Sequence, residues 1–334
     1  MKSFQFTRAG DAPAAITAGA RSNTAQQGAT CRFVAGGTTL IDLMKLNVEQ
    51  PASLIDINHL PFAEIEKTPD GGLKIGATVR NTALAYDPTV RRDYTVLSLA
   101  IMNGASAQLR NMATTAGNLL QRTRCVYFRD TAFPCNKREP GSGCPAIEGT
   151  NRTLAILGTS DHCIATNPSD MNVALAALEA TIHVTGVKGE RSIPINDFHL
   201  LPGDTPDRET VLEPGDLITH VTLPPPVADS RSYYLKLRDR ASYEFALASA
   251  AVVVVVADGK LSYARVALGG VGTKPWRSKE AEAALTGQPA TEASFRAAAE
   301  AALSDAKPQS ENGFKVELSK RCIVHALKVA TQTA

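Results

Sequence analysis

Apolar positions in this chain recur with two spacings, and the switches between them divide it into parts. SFQFTRA reads as a short strand and APAAITAGARS as a helix. CRFVAGGTTLIDLMKLNV then runs from a strand (FVA) through a tight GGT turn into a helix with Leu40, Leu43, Met44 and Leu46 on its apolar side. ASLIDI is a further strand, so residues 1 to about 60 predict a small βαβ unit. Beyond it, KIGATV is a strand, TALAYDPTVRRDYTVLSLAIMNG is mostly helical, and DMNVALAALEA has helical Ala/Leu spacing. ATIHVTGV returns as a strand, SIPINDFHLLPGDTP is loop-rich, and DLITHVTLPPP is a strand ended by Pro224 to Pro226, where a domain boundary is expected. YYLKLRDR, LASAAVVVVVAD and LSYARVALGGV read as strands, the middle one apolar enough to be buried on both faces. SKEAEAALTG, TEASFRAAAEAALSD and VELSKRCIVHALKVATQ are helices, so residues 230–334 predict an antiparallel sheet backed by helices.

One stretch does not fit either spacing. Between Cys125 and Asp161 there is little apolar periodicity except TLAILG (153–158), and a segment this long without regular structure is usually functional or disordered. Four of the six cysteines lie in or just beyond it, at 125, 135, 144 and 163, among Pro134, Pro140, Gly141 and Gly143. Thiolates in a polar, tightly turning loop suit a soft metal.

The chain's 334 residues allow two or three domains with sizeable cores. A hydrophobic fraction of 44% with 20% charged residues is that of an ordinary globular protein. Thirty-five basic against 33 acidic residues leave a charge of +2, which gives no electrostatic footprint for nucleic acid or membrane. The longest apolar run, Phe245 to Ala257, is too short to span a bilayer. MKSFQFTRAGD has no apolar core of a signal peptide, so no leader is expected and the cysteines are expected to be thiols or ligands rather than disulfides.

Three further motifs bear chemistry. AGGTTL, Ala35 to Leu40, places two glycines between a strand and a helix, where backbone N–H groups and the helix start can meet a phosphate. It is not GxGxxG, and an ordinary strand-to-helix turn reads the same way. RNMATTAGN, Arg110 to Asn118, offers small hydroxyl residues and a glycine to a flat ligand, or is a polar loop. KLRDRASYEFALASAA, from Lys236, puts a charged cluster at a strand end near the domain boundary. The cysteine gaps contain no CxxC, which weighs against a zinc ribbon; four thiolates suit either tetrahedral zinc or a 4Fe–4S cluster. His162 is the one histidine beside them, and Cys31 and Cys322 sit in ordinary element contexts.

Taken together, these motifs resemble the FAD-binding medium subunit of molybdenum hydroxylases, the xanthine dehydrogenase and carbon monoxide dehydrogenase family. AGGTTLIDLMK resembles its first FAD pyrophosphate loop, QLRNMATTAGN its second, and PSDMNVALAALEA its SD-then-helix segment. KLRDRASYEFALASAAVVV and RVALGGVGTKPWRSKEAEAAL resemble the opening of its C-terminal domain. Most members connect AGN to SD briefly, whereas here about forty residues carrying the four cysteines intervene. That insertion is similar to one holding a 4Fe–4S cluster in periplasmic aldehyde oxidoreductases and, more distantly, in 4-hydroxybenzoyl-CoA reductases; CNKREPGSGC and IATNPSD look closer to the former.

The resemblance implies an α+β chain: a two-part FAD-binding domain of the PCMH type, not Rossmann, over 1–226, then a C-terminal domain of the CO dehydrogenase flavoprotein type over 230–334. The first divides into 1–60 and 61–226, with the insertion at about 119–168. It implies FAD held by Arg32, Phe33, Val34, Ala35, Gly36, Gly37, Thr38, Thr39, Leu40, Thr114, Thr115, Gly117, Asn118, Asp170 and Lys236. Asp170 would also begin the next helix as its N-cap. A 4Fe–4S cluster would be held by Cys125, Cys135, Cys144 and Cys163. The function implied is an electron-transfer subunit of a heterotrimeric aldehyde oxidoreductase. Its partners would be a large molybdenum-cofactor subunit and a small subunit with two 2Fe–2S clusters, with electrons leaving FAD for an external acceptor. The location would be periplasmic by co-export with a twin-arginine-bearing partner, or cytoplasmic. The alternatives are another molybdenum hydroxylase (xanthine dehydrogenase or aromatic acyl-CoA reductase type), a stand-alone flavin oxidase, or a zinc-stapled scaffold.

Overall fold

The computed structural model describes residues 1–332. The first unit is a three-stranded parallel sheet of β1 (Gln5–Arg8), β2 (Cys31–Val34) and β3 (Ser53–Asp56) in the order β1-β3-β2. Its crossovers are α1 (Ala12–Gly19), started by Asp11 accepting from the Ala14 amide, and α2 (Leu40–Lys45). Leu43 and Met44 are buried under α2, but Leu46 follows the last turn and is exposed, so the apolar stripe is shorter than its periodicity predicts.

The second unit is a five-stranded antiparallel sheet in the order β4-β5-β8-β6-β7. Its strands are β4 (Ile65–Lys67), β5 (Leu73–Gly76), β6 (Thr181–Gly186), β7 (Gly189–Pro194) and β8 (Leu217–Leu223). Between β5 and β6 the chain leaves for helices α3 (Asn81–Tyr86), α4 (Pro88–Asp93), α5 (Thr95–Asn103), α6 (Ala107–Met112), α7 (Thr115–Leu119), α8 (Val126–Arg129) and α9 (Asp170–Ala177). The loop-rich reading of SIPINDFHLLPGDTP holds only in part. Ser192 to Pro194 pair with β6 as an edge, where Pro194 costs no ladder bond, and Ile195–Phe198 forms α10.

The C-terminal unit is a four-stranded antiparallel sheet of β9 (Arg231–Leu237), β10 (Ala248–Ala257), β11 (Lys260–Gly269) and β12 (Trp276–Arg277). Behind it stand α11 (Lys279–Leu285), α12 (Glu292–Ala302) and α13 (Phe314–Thr331). The continuous apolar run of β10 has a direct cause. Ala250, Val252 and Val254 pack with the C-terminal helices, while Ala251 and Val253 join the core formed by α3, α5 and α9. Both faces are covered, so the usual alternation is lost. No helix among the described residues is long and apolar enough to cross a membrane.

The segment from residue 119 to 168 is irregular apart from α8 but not loose. TLAILG forms no strand: the Ile156 and Leu157 amides both donate to Val271 O, and the Lys307 amide donates to Ile156 O. Asn312 Nδ2 donates to the carbonyls of Leu154 and Ala155. These bonds tie the segment to the C-terminal unit, while the Ala155 amide, donating to Ile164 O, holds it to the stretch beside Cys163.

Candidate functional site

The turn after β2 closes against the loop after α6. A Cβ on Gly36 would stand 2.0 Å from Met112 O and 3.1 Å from Ala113 Cα, so only glycine lets these backbones meet. Gly37 follows in the left-handed region at φ 72°. Two residues that sequence reading passed over clamp the junction. Asn58 Nδ2 donates to Ala35 O, and Arg80 donates to both Asn58 Oδ1 and Met112 O. Asn58 and Arg80 lie outside any motif, and only the fold brings them here.

Two cavities open from this junction and share Thr38, Thr39, Gly117, Gln121 and Pro168, so they form one continuous groove. One half is lined by Arg32 to Leu40, Glu49, Thr114, Arg122, His199 and Glu209. The other is lined by Asn81, Asn118, Arg124, Arg129, Asp170, Lys236 and Tyr243. The predicted binding residues therefore surround one space, with one correction. Thr115 lines neither half; it is buried, and its hydroxyl donates to Val79 O. Thr114 lines the groove and caps α7 by accepting from the Gly117 amide.

A second correction concerns Asp170, which is not an N-cap. Ser169 caps α9 by accepting from the Asn172 amide. Asp170 in the first turn is thereby free to turn both carboxylate oxygens to β9, accepting from Tyr234 Oη at 2.5 Å and Lys236 Nζ at 2.8 Å. Lys236 also donates to Asn103 O. Burial, then the neighbouring Asp170 charge, pushes the Tyr234 phenol well above its ordinary range.

The groove is polar beyond what the protein itself satisfies. Nine buried side-chain N or O atoms among the described residues lack a hydrogen-bond partner, and five of them belong to groove-lining residues. These are Asn81 Oδ1, Arg122 Nη2, Arg124 Nε, Arg129 Nη1 and His199 Nδ1. Unpaired buried polar atoms are costly, so their gathering here fits a polar ligand. Burial lowers His199 to about 4, so its ring is neutral near pH 7.

Beneath the first half runs a chain of alternating charges. Arg32 Nη2 meets Glu49 Oε1 at 3.0 Å, and Glu49 meets Arg122 Nη1 at 2.5 Å. Arg122 Nε meets Glu209, whose other oxygen meets Lys137 Nζ at 2.9 Å. Burial alone would raise the Glu209 carboxyl, but Arg122 and Lys137 outweigh it and hold the group at about 2.

Cys125, Cys135, Cys144 and Cys163 are unpaired thiols around one small cavity with Phe128, Lys137 and Ala146. Burial raises the thiols of Cys125 (to about 12), Cys144 and Cys163, and their mutual repulsion adds to the rise. Backbone N–H groups of Tyr127 and Phe128 point at Cys125, those of Ala146 and Ile164 at Cys144, and that of Ala165 at Cys163. Bare thiolates would be unstable here, whereas thiolates neutralised by bound cations would keep these donors. Among the described residues, no three His, Cys, Asp or Glu side chains close tightly enough to hold a metal ion. His162 lines the cavity wall, but its ring turns outward, Nε2 lying 3.4 Å from Asp204. Cys322 is buried in α13 and Cys31 lines the groove, both away from the four.

Residues 2–226 match the family described as the FAD binding domain in molybdopterin dehydrogenase, and residues 232–333 the CO dehydrogenase flavoprotein C-terminal domain. The aldehyde oxidoreductase FAD-binding subunit PaoB of Escherichia coli is 50% identical, with all of both chains covered. The glyceraldehyde dehydrogenase medium chain of Sulfolobus acidocaldarius is 28% identical over 77% of this chain and 74% of its own. Among solved structures, reconstituted CO dehydrogenase from Oligotropha carboxidovorans superposes with a TM-score of 0.78 over 98% of each chain at 21% identity, a likeness of fold alone.

Proposed function

The chain belongs to the family of FAD-binding medium subunits of molybdenum hydroxylases, and we propose that within it this chain is the FAD- and 4Fe–4S-carrying electron-transfer subunit of a heterotrimeric aldehyde oxidoreductase. The observation that carries this reading is the gathering of four free cysteines round one cavity beside the flavin groove. Its partners would be a large molybdenum-cofactor subunit and a small subunit with two 2Fe–2S clusters. The role is to pass electrons from that small partner to an external acceptor. Full-length likeness to an aldehyde oxidoreductase subunit favours this over a xanthine dehydrogenase or acyl-CoA reductase assignment.

The groove residues fit FAD. The backbone from Arg32 to Leu40, with Thr114, Gly117 and Asn118, would hold it, and Asp170 and Lys236 would close the far half. Thr115 would shape the loop rather than touch the ligand. When bound, the flavin supplies the redox chemistry; the protein binds, orients and electrostatically tunes it. Gly36 brings the two loops together, Asn58 and Arg80 fix them, and the buried Asp170–Lys236 pair sets a charged wall.

Cys125, Cys135, Cys144 and Cys163 would hold the 4Fe–4S cluster. A single zinc needs four sulfurs about 2.3 Å from one point, whereas a cluster spreads its thiolates over four irons. The four cysteines line one cavity, and the choice of a cluster over zinc rests on the likeness to an aldehyde oxidoreductase subunit. Anaerobically purified complex should contain about eight irons per heterotrimer, four of them from this chain. Its spectrum should combine flavin absorbance near ~450 nm with a broad iron–sulfur shoulder. One zinc and no iron beyond the partner's would overturn the cluster assignment. The location proposed is periplasmic, by passage of the folded complex with a twin-arginine-bearing small partner. Finding the chain in the periplasm of cells lacking that partner would sink it.

A further inference from the structure

The cysteine cavity and the flavin groove are separated by one layer of side chains. Lys137, Cys163 and Ala165 line both. Lys137 is buried, and its Nζ leaves the cysteine side to meet Glu209 Oε1 and Pro206 O, each at 2.9 Å. Glu209 in turn holds Arg122, whose Nη2 is buried, unpartnered and part of the groove wall. The residue between Cys135 and Lys137 binds the loop from the other side. Asn136 Nδ2 donates to His162 O, beside Cys163, and Asn136 Oδ1 accepts from the Gly143 amide, beside Cys144. Cys135-Asn136-Lys137 thus supplies a thiol, a brace between the neighbours of two other thiols, and a cation reaching the groove.

We propose that Lys137 is a positioning residue coupling the cysteine site to the flavin groove: filling the cysteine site fixes Lys137, Lys137 fixes Glu209, and Glu209 aims the free Nη2 of Arg122 at an acceptor oxygen of the FAD. This rests on the reading of the four cysteines as cluster ligands. Charge balance supports it. Arg32, Glu49, Arg122, Glu209 and Lys137 alternate in sign and leave one positive charge in excess, with its Lys137 end against Cys163. Four thiolates around a cluster bring negative charge to that end, and a net positive charge left buried in the chain is costly. Order of loading follows: the iron site first, the flavin second.

The test uses the heterotrimeric complex purified anaerobically. Iron and FAD are measured per complex, and FAD is titrated back after deflavination. Lys137→Met should keep its iron, bind FAD at least about tenfold more weakly and lower the cluster's reduction potential, while Lys137→Arg should restore both. Glu209→Gln lies outside the insertion, touches no cysteine, and should weaken FAD to a similar degree with iron unchanged. It serves as the decisive variant if Lys137→Met does not fold. Iron-loaded Lys137→Met, or Glu209→Gln, with wild-type FAD affinity overturns the coupling. Failure of the cluster reading shows separately, as wild-type complex without this chain's four irons; the coupling as stated then falls with it.

Discussion

Asp170 and Lys236, 66 residues apart, meet at 2.8 Å where α9 faces β9, their side chains almost wholly buried on the wall of the groove proposed to hold FAD. The pair joins the FAD-binding unit to the first strand of the C-terminal sheet. Removing one partner strands the other charge away from water, at a cost of about 3–5 kcal/mol. Asp170→Ala should therefore lower both thermal stability and FAD per chain. Adding Lys236→Met should return most of the stability but not the flavin. A double variant with wild-type flavin content would show the pair to be structural only.

Gly36 and Gly37 should fail differently. In Gly36→Ala the new methyl meets Met112 O at 2.0 Å, backbone against backbone, so the two loops must part. Gly37→Val has to hold a β-branched residue at φ 72°, where L side chains are strained by roughly 1–3 kcal/mol. Both should yield folded complex lacking FAD, read from the ratio of flavin to protein absorbance. Gly36→Ala should also disturb Arg80, seen as lost protection of the Ala113 and Asn81 amides in hydrogen exchange. Full flavin content in Gly36→Ala would refute the close-approach argument.

The central strands and the long helices were legible because each is encoded locally by its apolar period, whereas β4, β7 and β12, all edge strands with little apolar pattern, were not. The two glycines and the four cysteines were legible because their chemistry is rare. What escaped depends on distant partners. Thr115 and Thr114 are adjacent and chemically alike, and only the path of Val79 decides that one turns inward. Ser169 and Asp170 are both good N-caps by type; Tyr234 and Lys236 draw Asp170 away and leave the cap to serine. Lys137, Arg122 and Glu209 are ordinary charged residues in sequence, and their burial as a chain exists only after folding.

Cys144→Ser should remove about four irons per complex and loosen only part of the insertion. Residues 135–144 are held by their own turns, by Asn136, and by Lys137 and Arg138 reaching Glu209 and the carbonyls of Tyr127 and Phe128, whereas 154–157 are bonded to Val271, Asn312 and Lys307 of the C-terminal unit. Hydrogen exchange should accelerate over 126–150 and stay slow at Ile156 and Leu157. Uniform acceleration across 119–168 would mean that the cluster, not the C-terminal unit, anchors TLAILG.

Lys315 gives a prediction about pH. It is fully buried in α13, and its Nζ donates to Thr153 O, Leu154 O and Gly270 O with no carboxylate among these partners. Burial lowers the ammonium to about 7, against roughly 10.4 in an unfolded chain. Between these values the unfolded state binds the extra proton, so this lysine makes stability rise with pH, by at most about 1.4 kcal/mol per unit. Below about 7 both states are protonated and the dependence vanishes. The Cys322 thiol acts oppositely above about 8.5, because burial keeps its proton on in the folded chain while an unfolded one loses it. The clean window is therefore pH 7 to about 8.5. Lys315→Met should lose roughly 1–3 kcal/mol by stranding three carbonyls, and the deficit should widen as pH rises through that window. Denaturant unfolding of wild type and variant at both ends of the window measures this. A deficit that stays constant would mean that Lys315 is charged throughout and that its carbonyl cage, rather than burial, sets its titration.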